Sequence, residues 1–373
     1  MATDPAAGGR RPRQFAVPSD PDPRVSLIVL ACRRADLLRA CLAALPTATA
    51  AGPSCETVIV LNGATPEVRT LVHEDVEGAR VVGSPVNLGV AGGANLGRGV
   101  ARGELLVILH DDAEPRPDWL ARLVAVADRH PEAGVVGSRV VDPDGTPQAA
   151  GWITLADGGG VPLKDKPASG QVERPVDFCQ SCALLVRARL WDSLGGLDEE
   201  FYPAYFVDVD LAMAAWQAGW SVLCALDAEV AHHVSASSPS EYVAFLKLRN
   251  GARLCQKWAA ALSQHVSGPD AGDRAVEFAL ERVRLLALQC HGAQTPTGLP
   301  ARPPLGTGRF ARGESVQARA ERREIEARAE FNAYLARQGI RGRCQRAVRR
   351  IVPLRVRRRL LRMLSVLPGP ANR

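Results

Sequence analysis

No apolar run in this 373-residue sequence reaches the roughly 18 residues that a membrane-spanning helix needs. The N-terminal stretch has arginine and proline but no apolar h-region, so no secretory signal is expected. Aromatic residues make up only 5% of the chain and are missing from its basic C-terminal stretch. That absence argues against base stacking, and no reader motif offsets it, so nucleic acid is not the expected partner. The nine cysteines are odd in number and irregular in spacing. They read as the reduced thiols of a cytosolic protein rather than a disulfide framework. Cys179 and Cys182 form a lone C-x-x-C with no second pair, and are expected to be small core residues. The spacing G-x-G-x-x-G does not occur, which argues against a dinucleotide fold. No internal repeat stands out.

The composition that remains is globular, with 46% hydrophobic and 23% charged residues. Its net charge of +6 conceals two regions. Residues 341–373 hold eleven arginines and no acid, which leaves the rest of the chain at −5. A mildly acidic body and a basic tail call for separate explanations.

The first 22 residues, rich in Pro, Gly, Arg and Asp, read as a disordered leader. Val25–Ala31 is a strand apolar enough to be buried on both faces, as in a parallel sheet covered by helices. A helix over 36–45 follows, then a strand over 57–61 ending at Asn62 and Gly63, a helix over 66–74 and a strand over 79–82. The segment 87–97 carries four glycines and two asparagines and leads into a short helix. Glycine permits close backbone approach to a ligand, and asparagine amides can bond a base or sugar. A tight connection with no ligand is the alternative.

The stretch that organises the chain is 104–115. Five apolar residues, Leu105–Leu109, run into His110, Asp111, Asp112, Ala113, Glu114 and Pro115. Ligands of open α/β sheets sit off the carboxyl ends of the strands. Neighbouring carboxylates there repel unless a cation or donor network neutralises them, and a divalent ion bridging to phosphate oxygens does so. The rival reading is a solvated acidic turn capping a helix over 117–130. Further on, the pattern predicts a strand over 134–141, an irregular lid-like insert over 142–175, a strand over 178–186 and a helix over 189–194. A helix then runs through Ala218, followed by a strand over 221–225, an exposed polar segment over 230–238 and a helical stretch over 242–262.

Four stretches in order, VSLIVLACRR, NLGVAGGANLG, LLVILHDDAEPRPDWL and GGLDEEFYPAYFVDVDLAMAAWQAGW followed by HHVSASS, resemble the family 2 glycosyltransferases. Within that family the likeness is to rhamnosyl- and galactofuranosyltransferase-like members, over about 25–262. The resemblance implies a GT-A fold, a mostly parallel α/β sheet flanked by helices that binds a nucleotide-diphospho-sugar, with a C-terminal helical extension beyond it. It implies a D-x-D-like motif at His110, Asp111 and Asp112. Asp112 is then the expected ligand of Mg²⁺ or Mn²⁺, with His110 and His232 as further ligands and Asp111 near the ribose or donor sugar. Histidine beside carboxylate suits Mn²⁺ better than Mg²⁺. Donor contacts are implied at Ala31, Arg33, Asn62, Asn87, Gly89, Gly92 and Asn95. Asp208 is the implied catalytic base of an inverting displacement, and Asp210 supports it or caps the helix. Leu61 and Val207 stand where relatives carry acids, and Ala214 stands where relatives often carry arginine. A non-catalytic nucleotide-sugar-binding or scaffold protein of the same fold is therefore the rival.

The expected domains are a leader at 1–22, a catalytic domain at 23–262, a helical extension with a Pro/Gly linker at 263–340 and a basic amphipathic tail at 341–373. The tail suits an anionic membrane surface, where each basic residue adds about 1 kcal/mol. Packing on the acidic body or on the second subunit of a homodimer is the other reading. The expected donor is a UDP- or dTDP-sugar, and the acceptor is a glycan, a glycolipid or a small molecule. The expected location is the cytoplasm, at the inner face of the plasma membrane.

Overall fold

A computed structural model describes residues 13–164, 169–233, 239–267, 273–291 and 315–351, with side chains except at 273–275 and 339–351. The first half of the chain contributes β1 (Phe15–Ala16), β2 (Val25–Ala31), α1 (Ala35–Thr49), β3 (Cys55–Asn62), α2 (Pro66–Thr70), β4 (Val76–Glu77), β5 (Arg80–Ser84), α3 (Gly89–Arg98), β6 (Leu105–His110), β7 (Ala113–Pro115), α4 (Trp119–Arg129) and β8 (Ala133–Val141). Short strands β9 (Pro147–Ala149), β10 (Trp152–Thr154), β11 (Gly160–Pro162) and β12 (Glu173–Pro175) follow. Then come β13 (Ala183–Arg187), α5 (Ala188–Leu194), α6 (Val207–Gln217), β14 (Ser221–His232), α7 (Ser240–Lys257), α8 (Ala259–Leu262), α9 (Asp273–His291) and α10 (Val316–Ile351).

Ten strands make one sheet in the order β12-β14-β8-β13-β6-β2-β3-β5, with β7 on β14 and β9 on β8. The pairs β6-β2, β2-β3, β3-β5 and β8-β14 are parallel, while β13 runs antiparallel between β6 and β8. Alternation along the central strands divides the core into two layers. Leu27 and Val29 of β2 and Val107 and Leu109 of β6 face α1 and α4, where Leu38, Leu42 and Leu123 complete the packing. Ile28, Leu106 and Ile108 face the opposite layer, with Ala94, Leu190, Met213 and Val283. Each fully buried aliphatic side chain contributes about 1.5–3 kcal/mol, so double-sided burial explains why these strands read as continuous apolar runs. The indole of buried Trp119 donates to Ser138 Oγ at 2.8 Å, and that hydroxyl donates to Ala183 O at 3.0 Å, tying α4 to β8 and β13.

Several expectations need correction. The leader is structured from Arg13: β1 pairs in parallel with β4, and Phe15 and Val17 are buried against the core, so their apolar side chains anchor the stretch. The insert over 142–175 is not all loop, because β9 and β12 extend the main sheet and β10 and β11 form a hairpin-like pair. The strand expected from Phe178 begins only at Ala183. The expected polar segment at 230–238 starts inside β14, with Val230 and Ala231 buried. Residues 234–238 of that segment lie outside the described residues.

The helical extension does not stop being part of the body at 262. Val283 of α9 is fully buried in the second layer, and Arg282 holds Asp177 at 2.5 Å. The Pro/Gly linker expected over 295–308 lies outside the described residues. Contacts divide the chain into a unit ending at Ala320 and another from Glu321. The second unit carries i,i+4 pairs Arg322–Glu326 and Arg328–Glu324, each adding about 0.2–0.5 kcal/mol to the helix. Of the basic tail, 341–351 continues α10 and the remainder lies outside the described residues. No described helix is long and apolar enough to cross a membrane.

Candidate functional site

The carboxyl end of β6 delivers His110 as its last residue, and the chain turns through Asp111 and Asp112 into β7. β14 runs antiparallel to β7 and pairs His232 with Ala113, which brings the second histidine to the acidic turn. Asp112 Oδ1 lies 3.4 Å from His232 Nε2 and 4.0 Å from His110 Nδ1. The two rings meet edge to face with centroids 6.3 Å apart. The main chain seals the corner, since His233 N donates to Asp112 O at 3.0 Å and His110 N to Cys182 O at 2.9 Å.

What marks this corner is unmet demand. His110 Nε2, Asp112 Oδ1 and His232 Nδ1 are buried atoms with no hydrogen-bond partner. A buried polar atom left unpaired costs about 1–3 kcal/mol, so the cluster is costly as it stands. The ligand atoms of the three residues all lie within 4.8 Å of one another. Electrostatics agree. Burial pushes His110 down to about 4, keeping it a neutral imidazole. Burial also opposes a charge on His232, but Cys182 and Asp112 outweigh it and push that ring up to about 11. Asp112 stays below its usual range: burial works to raise it, and the nearby His232 and His110 rings outweigh that. In the absence of a metal ion, a proton on His232 supplies the positive charge that Asp112 demands. Two histidines and a carboxylate fit a divalent ion of the manganese or zinc type better than one that prefers only oxygen.

Asp111 turns the other way. Its Oδ2 accepts from Cys32 N at 2.9 Å, just past Ala31 at the end of β2, and burial raises its carboxyl to about 7. Cys32 Sγ in turn lies 3.9 Å from Asn87 Nδ2, and Asn87 Oδ1 accepts from Gly89 N at 2.7 Å. Ala31, Asp111, Asn87 and Gly89 are thus gathered at one sheet edge, with exposed Arg33 beside Cys32.

The other donor candidates have different work. Asn62 accepts from Leu88 N at 2.7 Å and donates to Gly89 O at 3.0 Å, so its amide is spent holding the chain before α3. Asn95 clamps 197–199: it donates to Leu197 O at 2.9 Å and accepts from Leu197 N at 2.8 Å. A Cβ on Gly92 would sit 2.9 Å from Leu88 Cβ and 3.8 Å from the Glu199 carboxyl carbon. The glycine-rich stretch is itself helix rather than a loop before one, and its glycines serve close packing. A Cβ on Gly97 would sit 2.4 Å from Ile28 Cγ2. Gly89, at φ +73°, would meet Pro203 O at 2.8 Å.

Asp208 lies in the first turn of α6. Its carboxylate accepts from Ser181 N at 3.1 Å and Val209 N at 3.0 Å, and burial raises its pKa above the usual carboxylate range. Asp210 is not part of the same surface. It is buried against Lys257 Nζ and Trp258 Nε1, each at 2.7 Å, and ties α6 to α7. Val207 and Leu61 are buried, so the missing acids at these positions are filled by core packing.

The segment 180–182 connects the two halves of the site and was not foreseen as functional. Ser181 holds Asp208, while Cys182, taken as a plain core residue, lies beside the His232 ring and helps raise its pKa. Gln148 also escaped notice: it donates to His232 O and Asp142 Oδ1, both at 2.7 Å, while its own Oε1 is buried without a partner. A C-x-x-C beside a strand start was the available signal for the first, whereas nothing in the irregular 142–175 pattern pointed to the second.

Residues 26–174 match the sequence model of glycosyl transferase family 2. The O-antigen biosynthesis protein RfbC of Myxococcus xanthus is 33% identical over 236 residues, covering 59% of this chain and 18% of that protein. An N-acetylglucosaminyl-diphospho-decaprenol L-rhamnosyltransferase of Mycobacterium tuberculosis (strain H37Rv) is 31% identical over 148 residues, 36% of this chain and 48% of the relative. The chain therefore spans less than half the length of either relative. Among solved structures, a mannosyltransferase from Pyrobaculum calidifontis with GDP-Man and Mn²⁺ aligns with 86% of this chain and 90% of that one, at 18% identity and a TM-score of 0.46. Over residues 26–174, which carry the first three of the four sequence stretches, the resemblance holds, and the sheet is mostly parallel and flanked by helices as it implies.

Proposed function

With residues 26–174 a glycosyl transferase family 2 segment, we propose that the chain moves a sugar from a UDP- or dTDP-sugar to an acceptor hydroxyl, with inversion at the anomeric carbon. The proposed acceptor is a lipid-linked glycan or surface-polysaccharide precursor, supported by the names of the two relatives. The observation that carries the reading is the meeting of His110, Asp112 and His232 at the carboxyl edge of the sheet, with ligand atoms within 4.8 Å of one another.

In this reading His110, Asp112 and His232 hold Mn²⁺ or Mg²⁺, and the donor diphosphate lies against that corner. The cation supplies Lewis-acid stabilisation of the departing nucleoside diphosphate. Asp111, fixed by Cys32 N, orients the donor ribose or sugar from the floor of the site. Asp208 takes the proton of the acceptor hydroxyl. Its two backbone donors fix the carboxylate, and its raised pKa makes it a stronger base than a solvated aspartate. The segment 341–373 is the proposed contact with the anionic inner face of the membrane.

The test is turnover of UDP- and dTDP-sugars with Mn²⁺, with Mg²⁺ and with chelator. Metal-dependent transfer or donor hydrolysis supports the reading. Nucleotide binding that never leads to turnover with either ion points instead to a binding module of the same fold.

A further inference from the structure

At the opposite end of the sheet, where β8 begins, lies a second histidine–carboxylate cluster that the proposed reaction does not use. His130 closes α4, Glu132 precedes β8, and His291 ends α9. Glu132 Oε1 lies 3.1 Å from His130 Nδ1 and 2.9 Å from His291 Nδ1. We infer that His130, Glu132 and His291 form a second metal site, for a transition-metal dication of the zinc class that accepts imidazole and carboxylate ligands.

Two observations carry this. The ligand atoms of the three residues lie within 4.8 Å of one another. Bonds of about 2.0–2.2 Å would set tetrahedral ligand atoms about 3.3–3.5 Å apart, so small side-chain movements admit an ion. Next, His130 Nε2 lies 3.3 Å from Glu173 Oε1, and the other oxygen of Glu173 pairs with Arg129. A carboxylate on the far nitrogen is what orients a metal-bound imidazole and fixes its tautomer. A dication between these three side chains would leave a fourth position open to water. Bound there, it joins the end of α9 to the α4–β8 turn.

The site is tested on the full chain, stripped with chelator, with Co²⁺ and Zn²⁺ as probes. An Asp112→Ala/His232→Ala background removes the first cluster. That chain should keep one equivalent of metal, show the visible absorption of tetrahedral Co²⁺, and melt higher with Zn²⁺. Adding His291→Ala, a substitution at a largely exposed side chain, should abolish the Co²⁺ band and the Zn²⁺-dependent shift while the metal-free melting curve stays cooperative. Glu173→Gln should weaken affinity about 10–100-fold. No metal retained by the Asp112→Ala/His232→Ala chain, or retention that His291→Ala leaves unchanged, overturns the inference. A failed glycosyl transfer assay would leave these readouts untouched.

Discussion

The two histidine–carboxylate clusters sit at opposite ends of the same sheet and are built on opposite principles. At the carboxyl edge, His110, Asp112 and His232 each bury an atom with nothing to bond. At the amino edge, Glu132 is met by two ring nitrogens and Glu173 by Arg129 and His130. The first holds polar groups in an unsatisfied state, a cost that stable folds carry where they act on something. The second draws its members together, and with or without an ion it fastens one helix to the body. Unmet hydrogen-bonding capacity, more than the residue types, separates the site proposed to act from the one that braces.

The comparison can be broken in several ways, and the largest effect falls on Asp208. Asp208→Asn should cut kcat by about 10²–10⁴ while the Kd for donor stays within error, checked by steady-state transfer and calorimetry. The pH profile follows from the same carboxylate. Its pKa lies above the usual range, and only the ionised form is a base. Transfer should therefore climb as pH rises through that raised value and fall away below it, in the kcat/KM profile. A limb at ordinary carboxylate pH would mean that another group takes the proton.

Stability gives the next contrast. In metal-free protein, Glu132→Ala removes the contacts to His130 and His291 and should destabilise by about 0.5–1.5 kcal/mol in urea denaturation. Asp112→Asn removes the charge that answers protonated His232, so it should lower that ring's pKa from about 11, read by NMR titration, and abolish metal binding. An unchanged His232 titration would remove Asp112 from the first cluster. Smaller still in functional terms is Gly97→Ala, whose new methyl would press on Ile28 and Val60. It should cost about 1–3 kcal/mol of stability, with metal affinity at His110–Asp112–His232 unaltered.

The sheet was legible because its central strands bury both faces: β2 begins and ends where its apolar run does, and β6 differs only by including His110. That His110, Asp112 and His232 would meet was also legible, His232 only through the family resemblance. Other roles were hidden because they depend on contacts far apart in sequence. Asn62 and Asn95 looked like ligand-binding amides but bond backbone 26 and 102 residues away. The glycines of α3 looked like a place for close backbone approach to a ligand, yet Gly97 is small because Ile28 lies beneath it. Edge strands β9 and β12 have three residues each, too few for any period to register. Glu132 and His291, 159 residues apart, carry no local signal at all.

The central claim is that His110, Asp112 and His232 grip a divalent ion against a nucleoside diphosphate. Calorimetric titration of UDP and dTDP into the chelated chain, repeated with Mn²⁺ and with Asp112→Ala, tests it directly. At least one nucleotide should bind tightly with Mn²⁺ present, at least tenfold more weakly without it, and show no Mn²⁺ enhancement in Asp112→Ala. Nucleotide affinity indifferent to Mn²⁺, or an enhancement that survives Asp112→Ala, would contradict it.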